Sequence, residues 1–233
     1  MLPVGPTLTK LPSGRPPARG PFQGRYVRLE PVDPARHAAR LYAQSHADET
    51  AKRLWTYMPY GPFESEAAFT AWLAQQAPLT EPQFYVVVDA ATGDPKGMAS
   101  FLNIRPSQGV IEVGHIWYVP SCQRSRLPTE AMYLMIRHVF DDLGYRRLEW
   151  KCDALNAGSR SAALRLGFRF EGIFRQHMIY KNRNRDTAWF AILDSEWPAI
   201  RANMERWLDP ANFDAAGRQK TSLGEMNRAL VRQ

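Results

Sequence analysis

A short polar segment at residues 122–128 (CQRSRLP) has the composition of a phosphate-binding site. It lies between a predicted strand and a predicted amphipathic helix, so its backbone N–H groups precede the positive end of the helix dipole. Arg124 and Arg126 add two fixed positive charges. Free N–H groups at a helix start, together with guanidinium groups, suit a phosphate or a pyrophosphate. The sequence therefore predicts that this segment binds a phosphorylated ligand.

Two side chains that could transfer a proton precede this segment. Glu112 and His115 belong to a predicted strand at residues 110–119 (VIEVGHIWYV), in which Gly114 is a candidate bulge. A carboxylate or an imidazole can take a proton from a nucleophile. The alternation of apolar and polar residues would equally leave Glu112 facing solvent, and His115 could be a packed strand histidine. Both interpretations stay open on these residues alone.

Helices and strands of ordinary length must hold these residues in place. The helix after the polar segment is predicted because apolar residues recur at i, i+3 and i+4, namely at Met132, Met135, Ile136, Val139, Phe140 and Leu143. Start, stop and alternation signals predict further helices at residues 34–45, 65–76, 157–166, 195–208 and 223–230, and strands at residues 26–32, 84–89, 96–103, 110–119, 145–152, 168–173 and 187–193. This order predicts an α+β fold, a mixed sheet with helices on both faces.

The chain of 233 residues predicts one main domain with a tail at each end. Residues 1–21 are rich in Pro and Gly and basic, so we expect an extended segment that contributes little to the core. Residues 22–208 carry the predicted elements and form the domain. Residues 209–233 are predicted to be a polar extension.

Charge and cysteine usage exclude several classes of protein. The net charge is +7, but the basic residues are scattered without stacking aromatics, so nucleic-acid binding is not favoured over an anionic cofactor. A basic RNA-associated factor stays an alternative. No apolar run reaches the roughly 20 residues of a membrane span, and no secretion signal begins the sequence. Cys122 and Cys152 are the only cysteines, which predicts a cytoplasmic protein with reduced thiols and, with scattered histidines, no metal site.

Three stretches in this order resemble the GNAT superfamily of acyl-CoA-dependent N-acyltransferases. They are QRSRLPTEA at residues 123–131, NAGS with LGF within residues 156–168, and GIFR with NRNRDT within residues 172–187. The resemblance is greatest to the branch of ribosomal-protein alanine N-acetyltransferases and covers residues 22–208. It implies a central, mostly antiparallel sheet of six to seven strands with helices on both faces.

The resemblance implies acetyl-CoA, or another acyl-coenzyme A, as the cosubstrate. The residues expected to bind it are Gln123, Arg124, Ser125, Arg126, Leu127, Thr129, Asn156 and Tyr118. Arg126 and Pro128 stand where the family has small residues. An arginine does not give backbone the close approach that glycine gives, and proline lacks an N–H, whereas Arg126 could supply a charge to the same phosphates.

The resemblance also implies the proton transfers of amide formation. A neutral amine is needed, and Glu112 near the splay of the family's sheet is the implied base, acting directly or through water. His115 is a second candidate. In the closest branch an acid directly before the loop can serve, but Pro120 stands there in this sequence.

The proton for the departing thiolate is implied to come from Ser159. Many family members use a tyrosine seven residues after the motif asparagine, but Ala163 occupies that position here. The closest branch uses the serine three residues after the asparagine, which corresponds to Ser159. Asn156 and Ser159 are also ordinary residues of a helix start.

The predicted function is transfer of an acyl group, acetyl in the first instance, to a primary amine of a protein N-terminus or a small molecule, by direct attack in a ternary complex. Four aromatic residues, in the Pro- and Gly-rich loop at 52–64 and on the strand before the polar segment, are predicted to face the substrate or else to cap the core: Trp55, Tyr57, Tyr60 and Trp117. The alternative is a non-catalytic acyl-CoA-binding sensor or scaffold, favoured by Arg126, Pro128 and Ala163. A homodimer is left open.

Overall fold

A single eight-stranded sheet runs through the molecule in the order β1-β2-β3-β4-β5-β6-β8-β7. The structure is a computed structural model and describes residues 2–231, so predictions for residues 1, 232 and 233 lie outside the described residues. The strands are β1 (Phe22–Gln23), β2 (Val27–Pro31), β3 (Gln83–Asp89), β4 (Pro95–Arg105), β5 (Val110–Tyr118), β6 (Arg147–Asp153), β7 (Arg169–Tyr180) and β8 (Arg183–Leu193).

The predicted mixed and mostly antiparallel sheet is confirmed. Every neighbouring pair is antiparallel except β5 and β6, which are parallel. The sheet has one strand more than predicted, because Phe22–Gln23 pairs with β2. β7 and β8 are longer than predicted and join through Lys181 and Asn182, at φ 48° and 55°, which is the backbone of a tight hairpin turn. The polar residues here had predicted a connection, but they lie on exposed strand ends.

Helices cover both faces, and local signals in the sequence define most of their ends. They are α1 (Pro34–Ser45), α2 (Glu49–Lys52), α3 (Glu66–Gln76), α4 (Arg126–Arg137), α5 (Ala157–Leu166), α6 (Trp197–Leu208) and α7 (Leu223–Val231). Asp33, Ser65 and Asn156 accept hydrogen bonds from the first N–H groups of α1, α3 and α5, as predicted. Gly167 ends α5 at φ 100°. Within the described residues no helix is long and apolar enough to cross a membrane.

Each face of the sheet carries its own apolar core. The larger core lies against α4, α5, α6 and α7 and includes Leu148, Phe190 and Met204. The smaller core lies under α1 and α3, and its fully buried sheet residues come from β3, β4 and the end of β5. Across residues 2–231, β6, β7 and β8 contribute no buried residue to this second core. That half of the face is left uncovered.

The N-terminal segment is bound to the domain by hydrogen bonds, although none of residues 2–21 belongs to either apolar core. Arg15 and Arg19 donate to backbone carbonyls of residues 142, 77 and 79. The buried hydroxyls of Tyr85 and Tyr145 donate back to carbonyls of the segment at 3.2 and 2.8 Å. Pro17 is buried. These hydrogen bonds form because the two tyrosine hydroxyls are buried, and a buried hydroxyl without a partner is costly.

The C-terminal extension is also packed. The predicted short helix is confirmed as α7, and it places the buried Leu223 and Met226 against the larger core. Asn227 donates to the carbonyl of Arg165 on α5 at 2.9 Å. The described part of the extension therefore shares the core of the domain.

One carboxylate fastens β2 to α4. Glu130 is 6% exposed and accepts backbone N–H groups from Arg25, Tyr26 and Val27 at 2.9, 2.5 and 2.9 Å. These donors precede or begin β2, where no strand partner would satisfy all of them. Charge-assisted hydrogen bonds to three N–H groups make this a strong attachment.

Candidate active site

The sheet opens between its two parallel strands. β5 and β6 pair only from Val110–Arg147 to Glu112–Glu149, and beyond that point each strand pairs only with its other neighbour. A bulge in β5 follows at once, where His115 and Ile116 together oppose Ala99 and His115 has φ 52°. A bulge increases local twist and bends the strand away. The result is a crevice at the carboxyl ends of two parallel strands, a common place for a ligand.

The polar segment lies at the end of β5 and leads into α4. Ser125 caps the helix, because its Oγ accepts the N–H of Leu127 at 3.3 Å and donates to the Cys122 carbonyl at 2.6 Å. Gln123 donates through its side chain to the Tyr118 carbonyl at 3.0 Å. Arg124 has φ 62°, and among residues 2–231 no acceptor receives its N–H or that of Arg126. Two free N–H groups at a helix start fit a phosphate.

The Arg126 guanidinium, which was predicted to bring charge to a phosphate, contacts aromatic rings of the protein instead. The Arg126 guanidinium lies 3.8 Å from the centroid of the Phe213 ring and 5.1 Å from that of Tyr26, so it is stacked between the two ends of the domain. Arg165, which the sequence did not single out, donates to Thr129 Oγ1 at 3.0 Å. Thr129 is 2% exposed, so its side chain supports α4 from within and does not line the crevice. The side chains of Arg126 and Thr129 are thus engaged within the protein, whereas that of Arg124 is exposed.

The residues expected at the thiol end lie together at the start of α5. Asn156 Oδ1 accepts the N–H of Ser159 at 3.0 Å. The Ser159 hydroxyl oxygen accepts Trp150 Nε1 at 2.9 Å, which leaves the hydroxyl proton free to be donated. Burial raises the pKa of Cys152 beside it. Ala163 is fully buried in the larger core and presents no polar group.

Glu112 is a buried member of an ion-pair cluster, which rules out a solvent-facing position. It is 5% exposed, and its Oε2 accepts Asn103 Nδ2 at 2.6 Å and Lys151 Nζ at 2.9 Å. Lys151 also pairs with Glu149 at 3.1 Å. Glu112 Oε1 faces the opening instead, 3.5 Å from where a Cβ at Gly114 would lie. Oε2 is therefore held by two donors, and Oε1 lies beside Gly114, where β5 and β6 separate.

His115 lies in an aromatic stack beside the crevice. Its ring is 5.6 Å from that of Tyr60, nearly parallel at 19°, and 5.1 Å from that of Phe84. Burial, and second the charge of Arg185, lower the pKa of His115 to about 4. The ring is therefore neutral at neutral pH and holds a proton weakly, which makes it a poorer proton acceptor than a base matched to that pH.

Two of the four aromatic residues predicted to face a substrate belong to the core. Trp55 is 0% and Trp117 is 3% exposed, with ring centroids 5.0 Å apart. Of the two interpretations, the substrate wall is wrong for these two rings, because both are packed in the second core with residues of α1 and α3. Tyr57 and Tyr60 are half-buried at the mouth. The Tyr57 hydroxyl donates to the Leu155 carbonyl at 3.2 Å, so the aromatic loop reaches across to the turn after β6.

Lys151 and Asn103 are site residues that sequence reasoning missed. Alternation along β6 places Lys151 on the same face as Glu149, and parallel pairing brings both beside Glu112. The sequence therefore indicates Lys151 as a residue of this cluster, provided that β5 and β6 are taken to be neighbours. Asn103 reaches the carboxylate only because β4 has a bulge there, with φ 48°, and no sequence signal predicts it.

Residues 27–169 match the family model described as the acetyltransferase (GNAT) domain. The chain therefore belongs to the GNAT acetyltransferases, in agreement with the open sheet and the loop before α4. The crystal structure of a GCN5-related N-acetyltransferase from Brucella melitensis is similar, with 46% identity and a TM-score of 0.89, covering 94% of this chain and 97% of that one.

Two curated relatives concern the ribosomal branch. A Bacillus subtilis protein, YdaF, whose name places it among ribosomal N-acetyltransferases, is 26% identical over 175 residues, 72% of this chain and 90% of its own. The ribosomal-protein-serine acetyltransferase of Escherichia coli is 32% identical over 101 residues, 43% of this chain and 56% of its own. The resemblance to a ribosomal acetyltransferase-like branch is confirmed.

GNAT acetyltransferases use acetyl-CoA, and the described residues fit that cosubstrate. The free N–H groups of Arg124 and Arg126 suit its pyrophosphate, and the crevice between β5 and β6 leads from them to Ser159 and Glu112. Among residues 2–231 no group of three His, Cys, Asp or Glu side chains could hold a metal ion.

Proposed function

We propose that this N-acetyltransferase transfers an acyl group, acetyl in the first instance, to a primary amine by direct attack in a ternary complex, with Glu112 as the base. The observation that carries the proposal is the free Oε1 of Glu112, which faces Gly114 where β5 and β6 separate. Lys151 and Asn103 hold the other oxygen, so the carboxylate has one orientation. A base held in one orientation, directly or through one water, removes the amine proton efficiently.

Three groups of the chain share the proton and charge transfers. Bound acetyl-CoA supplies the thioester. Glu112 Oε1 takes the proton of the attacking amine as the C–N bond forms and the C–S bond breaks. Backbone N–H groups of β5 beyond Glu112, on the side that β6 has left, can donate to the carbonyl oxygen as it becomes negative. The Ser159 hydroxyl, oriented by Trp150, gives its proton to the departing sulfur.

The acceptor is proposed to be a protein N-terminus or a small molecule that enters from the uncovered face. Tyr57 and Tyr60 at the mouth would contact it. The names of the two curated relatives support a ribosomal-protein N-terminus as the first candidate. We place the protein in the cytoplasm, which suits its free thiols at Cys122 and Cys152.

A homodimer is part of the hypothesis. β7 is an edge strand, and it exposes Ile173, Phe174 and Ile179 by 44%, 52% and 83%. Apolar side chains along an open strand edge favour self-association. Sedimentation of the purified chain at several concentrations would test it, and a single monomeric species throughout would contradict it.

Two measurements test the proposed function. Acetyl-CoA is expected to protect the fold against heat, because it binds the native state and not the unfolded chain. Release of coenzyme A thiol should then depend on an added amine, with N-terminal peptides and small amines as the acceptors. Protection without turnover on any amine would favour the sensor or scaffold, and no protection at millimolar acetyl-CoA would contradict both.

A further inference from the structure

Arg185 is a half-buried cation on the uncovered face, and its only contact of a polar kind among residues 2–231 is with the ring of Tyr180. In the pairing of β6 with β8, Lys151 lies opposite Trp189, and Arg185 lies on the same face of β8 two positions beyond Thr187. Its Nε is fully buried and has no hydrogen-bond partner. Across residues 2–231 its guanidinium makes neither an ion pair nor a hydrogen bond. The two Nη groups are not fully buried and can meet a ligand, whereas the buried Nε lacks the partner that a buried donor normally has.

The carboxylates near Arg185 are already engaged. Asp153 accepts the Tyr180 hydroxyl at 2.9 Å and the N–H of Leu155 at 2.8 Å. Asp186, the next residue along β8, accepts the N–H of Gln176 at 2.8 Å. The guanidinium lies 5.5 Å from the centroid of the Tyr180 ring and forms no salt bridge with either acid. The fold thus holds the cation without neutralising it.

The position of Arg185 also indicates which ligand it meets. Alternation along β8 places Arg185 on the same face as Trp189, whose ring packs on Lys151, so Arg185 lies on the uncovered face. Its charge is also near enough to His115 to contribute to the low pKa of that ring. Ala188 and Phe190 of the same strand face the opposite way, into the core beneath α4. The polar segment at residues 122–128 leads into α4, which covers the opposite face of the sheet. Arg185, by contrast, shares the uncovered face with Glu112 and Lys151.

We propose that Arg185 binds a carboxylate of the acceptor, so that the substrates of this enzyme are amines that also carry a carboxylate. A guanidinium presents a planar pair of donors that matches a carboxylate, which explains an arginine with no partner in the protein itself. The inference rests on the proposed function, because it places the acceptor on the face of Glu112. It makes Arg185 a specificity residue rather than part of the proton transfers.

The test compares acceptors that differ only in the anion. A Ser-Ala dipeptide with a free carboxylate and the same dipeptide as a carboxamide are offered to the wild type, Arg185→Gln, Arg185→Lys and Arg183→Gln with acetyl-CoA, and thiol release is measured. The wild type should prefer the acid by about tenfold or more in kcat/KM, as for a charge-assisted hydrogen bond. In Arg185→Gln the preference should disappear, because kcat/KM falls for the acid and is unchanged for the amide. Arg185→Lys should keep part of the preference. Arg183, exposed on the same strand, is the matched control and should leave the ratio unchanged.

A second measurement keeps the inference independent of turnover. With coenzyme A present, the N-acetylated dipeptide acid should raise the Tm of the wild type more than its amide does, and Arg185→Gln should abolish the difference. Removing an unpaired cation should not lower the Tm of the variant without ligand, whereas a structural role would. Equal treatment of acid and amide by the wild type, or an equal loss on both in Arg185→Gln, would overturn the inference. Absence of thiol release from every amine would instead contradict the proposed function, and the Tm comparison would then decide about Arg185.

Discussion

Lys151 gives Glu112 its orientation, and a second carboxylate and an aromatic ring hold Lys151 in turn. Its ammonium lies between two carboxylates at 2.9 and 3.1 Å and 3.8 Å from the centroid of the Trp189 ring. An isolated buried carboxylate would be costly, whereas a paired one with further hydrogen bonds can persist. The base is therefore set by residues of three strands, and an error in any of them would move it.

Replacing Glu112 by Gln is expected to reduce kcat by about 100-fold or more, because general-base assistance is lost while the shape of the side chain is kept. Acetyl-CoA should still protect the fold, since the polar segment is unchanged. Thiol-release kinetics and thermal shifts measure the two effects. Glu30→Gln removes another largely buried and ion-paired carboxylate, 13% exposed, that lies outside this cluster, and it is the matched control. Comparable losses of kcat in both variants would contradict the role of Glu112.

His115 should make the stability of the protein sensitive to acid. Its pKa is lowered to about 4 in the fold, against about 6.5 in an unfolded chain, so the unfolded state alone takes up the proton between these values. Stability from this group is complete above pH 6.5 and is lost as the pH falls towards 4, by at most about 3 kcal/mol. Water reaches part of the ring, which reduces that amount.

Urea unfolding between pH 7 and pH 4 measures this dependence. His115→Asn should flatten it, and asparagine tolerates the φ of 52° at this position. The carboxylates that titrate over the same interval are unchanged in the variant, so only the difference between the two curves is read. Parallel curves would show that His115 does not contribute.

At the scale of elements, the start of α4 determines how an anion is bound. Ser125 accepts the N–H of Leu127 and donates to the Cys122 carbonyl, and so the N–H groups of Arg124 and Arg126 are left without a partner among residues 2–231. The small residues of the family motif are absent, but the free donors are retained. The departure at Arg126 is explained by its contact with Phe213.

Ser125→Ala should lower the free energy of unfolding by about 1 kcal/mol through loss of the cap. It should also weaken acetyl-CoA binding roughly twofold to fivefold, because the N–H groups are no longer held. Ser65→Ala is the matched control, since Ser65 caps α3 through the N–H of Ala68 at 3.1 Å. That variant should show the same loss of stability with unchanged affinity, and an equal loss of affinity in both would contradict the role of the α4 start.

Local chemistry made the elements predictable, and distant contacts made parts of the site unpredictable. Asp33, Ser65, Asn156 and Gly167 act on their own helices, so their signals are present in a short stretch of sequence. The burial of Trp55 depends on how much of the sheet two other helices cover. No window of sequence around the loop contains that information.

At the scale of the molecule, both ends of the domain meet at α4. Glu130 holds the chain before β2 by three backbone N–H groups, and Arg126 lies between Tyr26 and Phe213. The motif containing Glu130 could be recognised in the sequence, but its structural purpose could not, since the donors are about 100 residues away. Contacts as distant as these also bind residues 15 and 19 to the domain, and no local pattern in the sequence indicates them.

Glu130→Gln should destabilise the protein by about 2 kcal/mol, because an amide group would place a donor against N–H donors in a buried position. Chemical denaturation followed by circular dichroism measures the change. Glu49→Gln alters a glutamate that is exposed and paired only with Lys52, and should change stability by no more than about 0.5 kcal/mol. A similar small change at Glu130 would contradict its role as the attachment of β2.

The contact between Arg126 and Phe213 forms later during translation than the contacts of α4 with the N-terminal part of the chain. The Glu130 attachment joins residues that have all been synthesised once α4 has left the ribosome, whereas Phe213 follows the end of that helix by 76 residues. At the usual 5–20 residues per second this delay is roughly 4–15 s. The nascent chain can thus form its sheet and α4 first, and the Arg126 side chain receives the Phe213 ring only after all eight strands and α6 have been synthesised.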